Sequence, residues 1–280
     1  MLIDAAFQGL SWNLAHDVRE LFAFHFMVNA LLAGTAVAVM GGAVGWFMVL
    51  RRQAFAGHTL AMIAFPGAAG ATLAGLPIAF GYFGACAAGA LALAGVSGRH
   101  SRESAATGTV QAFALGLGFL FVGLYHGLLN GLQALLFGTF LGIDDGQVRT
   151  IVAVVAVALA ALAVGARPLL FASVDADVAR AAGVPVRLLS FSFLLLLGLA
   201  VAATSQITGA LLVFALLVTP AATAHRLTSR PLVGLGLSVA IALVVTWLGL
   251  ALAFFSVYPV GFYVTSLAFA PYVVARSLRR

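Results

Sequence analysis

Long apolar runs separated by short polar interruptions make up most of this 280-residue chain. About 20 apolar residues of helix cross a bilayer core. Runs of that kind fall at 23–50, 54–75, 77–97, 104–126, 148–166, 188–206, 207–224, 232–256 and 260–275. Glycine and proline inside them fit membrane helices, because neighbouring helices resatisfy the freed backbone groups. The pattern predicts an all-α membrane protein, a polytopic bundle of about nine transmembrane helices.

The finer divisions come from what interrupts the runs. The junction near 206–208 is tight, and the apolar piece 131–142 is too short to cross, so the latter is expected as a re-entrant or interfacial helix at the outer side. Residues 5–20 alternate apolar and polar character, which predicts a short helix lying in the interface and makes 1–20 an outer-face segment. Gly41 and Gly45, then Gly67, Gly70 and Gly75, then Gly81, Gly84 and Gly89 are small residues at which helix backbones can approach. No long linker divides the chain, so 1–280 reads as a single transmembrane domain.

Composition narrows the class. Hydrophobic residues are 63% of the chain and charged residues 8%, against roughly 25% charged in a soluble domain. That excludes a soluble enzyme, a disordered chain and a nucleic-acid-binding domain. The net charge of +6 sets 14 arginines, with no lysine, against 8 acidic residues, and the arginines cluster between apolar runs. With the N-terminus outside, 12 of the 14 fall on inner loops, leaving Arg19 and Arg149 outside. This is the membrane orientation signal. Residues 1–20 hold Asp4, Asp17 and Glu20 against Arg19, the wrong sign for a signal-peptide start. Cys86 is the single cysteine, which leaves no internal disulfide and no cysteine-rich metal site.

No catalytic constellation appears. The acidic residues lie in loops or near run ends, and no Walker A motif or HExxH is present. The chain reads as a passive scaffold that draws energy from elsewhere. Of the six histidines, His16 and His100 fall in polar segments and His225 precedes Arg226 at an inner helix end. His25 and His126 lie near outer ends, as interfacial anchors or as groups that receive a cation. His58 differs, since it falls within the second run, in RRQAFAGHTLAMIAFPG, with Met62 four residues later on the same helical face. An intramembrane histidine is costly unless paired or lining a hydrated path. Imidazole suits Zn, Cu, Fe and Ni, and thioether is a soft ligand. A satisfied core histidine beside a gap-filling methionine is the other reading.

The longest polar interruption, RPLLFASVDADVARAAGVPVR at 167–187, faces the inner side. Ser173 and Asp175 are N-cap residues, and Gly183 and Pro185 stop a helix, which predicts a short helix at 173–182. It is either a helical surface loop or a docking element for a cytoplasmic partner.

Four segments carry a family resemblance. LRRQAFAGHTLAMIAFPGAAGA from Leu50, LLFGTFLGIDDGQV at 135–148, FASVDADVARAAGVPVR at 171–187 and GALLVFALLVTPAATAHRL at 209–227 resemble zinc/manganese-type ABC importer permeases, in order and from about residue 26 onward. A prokaryotic zinc permease is the closer likeness. The resemblance implies a homodimeric permease in a prokaryotic inner (plasma) membrane, working with a separate cytoplasmic ABC ATPase and a periplasmic or extracellular metal-binding protein. It implies transported Zn2+, no tightly bound cofactor and no catalytic residue of its own. The inner helix becomes a cytoplasmic coupling helix within the coupling loop 167–187, with Asp175, Ala179 and Gly183 at the family's Asp, Ala and Gly. The piece 131–142 would flank the outer gate. One departure stands out. Family members commonly carry Asp and His, four apart, where this chain has His58 and Met62, a change that tilts the donor set toward zinc and away from manganese. A permease for manganese or for a chelated metal of siderophore or cobalamin type, a secondary exporter, and a membrane assembly protein are the alternatives.

Overall fold

The computed structural model describes residues 14–96, 103–125, 135–136, 138 and 140–277. In chain order the helices are α1 (Leu14–Ala23), α2 (His25–Leu50), α3 (Ala54–Leu73), α4 (Ile78–Val96) and α5 (Glu103–Leu124), then a 3-10 turn at Phe140–Gly142. They continue with α6 (Asp145–Val174), α7 (Ala176–Ala181), α8 (Val186–Leu227), α9 (Pro231–Phe254) and α10 (Val260–Ser277). No strand occurs among the described residues.

Among the described residues, six stretches are long and apolar enough to cross a membrane: α2, α3, most of α4, α6, Val186–Ala210 of α8, and α9. Shorter apolar helices cover Gly108–Leu124 and Leu212–Leu227. The chain is therefore a multi-pass helical membrane protein. The helix starts have local causes. The Asp144 carboxylate accepts the Gln147 N–H at 2.8 Å to cap α6, and Pro231 opens α9 where an amide hydrogen has no partner to lose.

α2 is the axis of the bundle. Every residue from Met40 to Met48 is buried, as expected for a helix that is apolar all round. α8, α9 and α6 enclose it. Gly45 makes the α8 contact possible, since a Cβ there would lie 2.0 Å from the Leu217 carbonyl oxygen. At one end of the bundle, Asn29 donates to Asp145 Oδ1 (2.7 Å) and to the Ile143 carbonyl (3.2 Å), while His25 Nε2 lies 2.8 Å from the same carboxylate oxygen. These contacts pin the start of α2 to the start of α6.

Two boundaries differ from the sequence expectation. The run expected to end at 166 continues as α6 through Arg167 and Pro168 to Val174. Proline removes one helical hydrogen bond, but Leu169 and Ala172 beyond it are buried and hold the helix on course. The polar interruption is correspondingly shorter than 167–187. The runs 188–206 and 207–224 form one continuous α8, broken only at Gly209, whose φ of 71° lies in the left-handed region. Of the interfacial helix expected at 5–20, residues 1–13 lie outside the described residues, and α1 carries the rest onward to Ala23.

Candidate functional site

His58 stands where three helices meet. A three-residue turn joins α2 to α3, with Arg52 at φ 58° and Gln53 N–H bonded to the Met48 carbonyl at 2.9 Å. His58 is the fifth residue of α3, so it lies about 6 Å of helical rise from the start of that helix. Its ring is half-buried and meets the Phe214 ring of α8 edge-on at 5.2 Å. Its Nε2 lies 3.3 Å from Nε2 of Gln111 on α5. Nδ1 is buried and has no hydrogen-bond partner among the described residues. Met62, one turn on, is 8% exposed.

The pair His58–Gln111 can bond in two ways. The amide N–H can donate to Nε2, which leaves a buried N–H at Nδ1 without a partner. With the amide turned over, the Nε2–H donates to its oxygen and Nδ1 keeps an open lone pair. The second arrangement is the one metal-binding histidines use, with one nitrogen oriented by a partner and the other free to ligate. Gln111 was not singled out from the sequence, although it is the only amide in α5 and a lone amide in an apolar run was the available signal. No group of three or more His, Cys, Asp and Glu side chains occurs among the described residues.

The other histidines have structural roles or are not described. His225 stacks on Trp46 at 4.9 Å and 14°, with Nε2 3.0 Å from the Trp46 carbonyl oxygen. His25 is taken by Asp145. His100, His126 and the side chain of His16 lie outside the described residues.

The segment around α7 is ordered by its own local hydrogen bonds. Asp175 Oδ1 accepts the N–H groups of Asp177 and Val178, each at 3.0 Å, and so caps α7. Ala179 is fully buried, and Asp177 pairs with Arg180 at 2.7 Å on the exposed face. The helix closes with Val184 N–H on the Ala179 carbonyl (3.0 Å), Gly183 N–H on the Arg180 carbonyl (3.1 Å), and Gly183 at φ 82°. That is the Schellman pattern, in which glycine is preferred. The helix expected at 173–182 is thus Ala176–Ala181, because Ser173 still belongs to α6 and bonds back to the Leu169 carbonyl. Around this cap Val174, Val178 and Leu188 are 76%, 53% and 61% exposed. Apolar side chains at a polar, rigidly closed tip form a surface suited to a partner.

At the α8 break, Gly209 and Gly138 touch. A Cβ on Gly138 would lie 2.2 Å from the Ile207 carbonyl oxygen, and one on Gly209 would lie 2.4 Å from the Leu136 carbonyl oxygen. Residues 131–134, 137 and 139 of the piece 131–142 lie outside the described residues, so its expected re-entrant course is not described. Beside the break, a cavity of about 580 Å3 is lined by Leu76, Tyr82, Leu135, Asp144, Gln147 and Gln206 among others.

A model described as the ABC 3 transport family matches residues 23–278, which takes in α2 to α10 whole. The chain belongs to the ABC 3 transport family. The manganese transport system membrane protein MntC of Halalkalibacterium halodurans is 31% identical over 223 residues, covering 78% of this chain and 75% of that one. The chelated iron transport system membrane protein YfeC of Yersinia pestis is 31% identical over 237 residues, covering 84% and 80%. The solved structure of PsaBC from Streptococcus pneumoniae in complex with Fab superposes with a TM-score of 0.84, at 27% identity, covering 94% of this chain and 95% of that one. The family resemblance carried by the four sequence segments therefore holds for this ABC 3 chain, whereas both relatives are named for metals other than zinc.

Proposed function

We propose that this chain is the membrane-spanning permease subunit of an ATP-driven importer for a divalent transition-metal ion. The observation that carries the reading is the imidazole of His58, set in an apolar helix, bonded at one nitrogen and, among the described residues, without a partner at the other. A dication entering hydrocarbon must exchange water for other donors. Imidazole with a nearby thioether suits zinc better than manganese, which prefers oxygen ligands. Zinc is therefore the proposed cargo. The names of the relatives favour a second reading, manganese or iron. Reconstituted vesicles given Zn2+, Mn2+ and Fe2+ in competition decide between them, and uptake of none of the three removes the metal-importer reading.

The proposal includes nine crossings with the N-terminus outside, Gly209 dividing α8 into two of them, and a homodimer served by an ATPase inside and a metal-binding protein outside. The 12-to-2 division of arginines supports this orientation. Reporter fusions after residues 53, 100 and 182 should read cytoplasm, and a fusion at 144 should read outside. A cytoplasmic reading at 144 would reverse the orientation or add a crossing at 131–142.

Asp175, Ala179 and Gly183 are proposed as the coupling residues. Asp175→Arg reverses a charge at a helix start, where the dipole alone is worth roughly 0.3–1 kcal/mol, and also removes both capping bonds. Gly183→Val puts a β-branched side chain at φ 82°. Both should separate ATP hydrolysis from uptake while the permease still inserts. Normal uptake in both variants would reduce the segment to a surface loop.

A further inference from the structure

We propose that Arg51 is a positioning residue that clamps both ends of the coupling segment to the turn that starts α3. The proposal rests on α7 being the coupling helix. Arg51 caps the C-terminal end of α2, where a cation suits the exposed carbonyls. Its guanidinium does not run out to water. Nη1 donates to Ser173 Oγ at 3.2 Å and Nη2 donates to Ser190 Oγ at 2.8 Å. Its face lies over the Phe193 ring, 5.3 Å from the centroid. Ser173 is near the end of α6 and Ser190 near the start of α8, so the two hydroxyls bracket α7 and its cap. One planar fork therefore spans the chain entering the segment and the chain leaving it, a geometry open to arginine and closed to a single ammonium.

The chemistry of this cage suits a contact that forms and releases. No carboxylate among the described residues pairs with Arg51, and Nε is buried without a hydrogen-bond partner there. Desolvation pulls the guanidinium below its ordinary value, yet arginine stays charged. The cation is held by two neutral hydroxyls and one ring, so a small shift of the α6 end or the α8 start, the two elements that flank α7, relative to α2 breaks this set of contacts. On its other side the connection is short. Only Arg52 and Gln53 separate Arg51 from α3, and the turn is fixed by bonds from Arg52 N–H to Val49 and from Gln53 N–H to Met48. His58 follows five residues after Gln53. A displacement of α7 by its partner thus has a continuous route of hydrogen bonds and covalent chain to the helix that bears His58.

The test uses the full permease with its ATPase and binding protein in vesicles, supplied with Zn2+, Mn2+ or Fe2+. Arg51→Met is expected to leave ATP hydrolysis in place and to lower ions moved per ATP by roughly fivefold or more, the low end of usual coupling between sites. Arg51→Lys should recover part of that ratio, because an ammonium reaches one hydroxyl at a time. Ser173→Ala with Ser190→Ala should reproduce the loss, and adding Arg51→Met to that pair should lower the ratio no further. The serine pair keeps the test open should Arg51→Met fail to insert. Hydrogen exchange read in parallel should rise over 176–184 in each loosened variant. It should also show nucleotide-dependent protection of 53–58 in the unmodified protein and not in the variants. An unchanged ratio, with or without faster exchange over 176–184, would overturn the proposal, as would additive losses. Should none of the three metals be transported, the cargo reading fails while the nucleotide-dependent exchange at 53–58 still tests the clamp. Normal coupling in Asp175→Arg and Gly183→Val would remove the coupling-helix reading by itself.

Discussion

His58→Ala is expected to reduce metal uptake in reconstituted vesicles by more than the roughly 10–100-fold that follows loss of an outer-shell partner at a metal site. The side chain removed is the one ionisable group that α3 carries, and it is half-buried among α3, α5 and α8. Alanine leaves a dication no imidazole at that level of the bundle. Gln111→Leu should cost less, roughly tenfold, because it frees the ring without deleting it. Met62→Leu is close in volume and should cost least if the thioether only packs. His58→Asp combined with Met62→His sets an oxygen donor beside an imidazole and should extend uptake toward Mn2+. Uptake of Zn2+, Mn2+ and Fe2+ all unchanged in His58→Ala, at normal membrane level, would take this site out of the transport path.

Much of that site was legible along the chain, and the part that was not has a physical reason. His58 stood out because an ionisable residue inside an apolar run is unusual whatever surrounds it. Gln111 did not, because its importance depends on α5 packing against α3, a tertiary fact with no local signature. Asp175 and Gly183 were readable as cap and stop, since capping is chemistry between near neighbours in sequence. The end of α6 was misjudged at 166, where Arg167 and Pro168 look like a boundary. The burial of Leu169 and Ala172 that carries the helix past them lies in the packing against other elements. From the sequence Arg51 enters as one of the inner-loop arginines and as a letter of a resembling segment, with no contact of its own. Its two serine partners lie 122 and 139 residues away, beyond any spacing rule.

Glycines show the same division most sharply, and they supply the second large expected effect. Gly45 and Gly84 both sit in small-residue patterns, yet a Cβ at 45 would lie 2.0 Å from the Leu217 carbonyl oxygen, while at 84 nothing among the described residues lies within 4 Å. Ordinary contact begins near 3.4 Å, so Gly45→Ala must part α2 from α8 by more than 1 Å, and the opposing atom is backbone that cannot rotate away. Overpacking a core costs roughly 1–3 kcal/mol, occasionally more, and the central position of α2 puts this change at the upper end. Gly84→Ala meets open space and gains up to about 1 kcal/mol of helix propensity. Thermal unfolding of the purified permease in detergent should therefore fall clearly for Gly45→Ala, with less protein in the membrane, and hold or rise for Gly84→Ala. Equal melting of the two variants would mean that α2 and α8 are not in backbone contact at Gly45, and the close-packed axis on which His58, Arg51 and the α8 break are mounted would have to be redrawn.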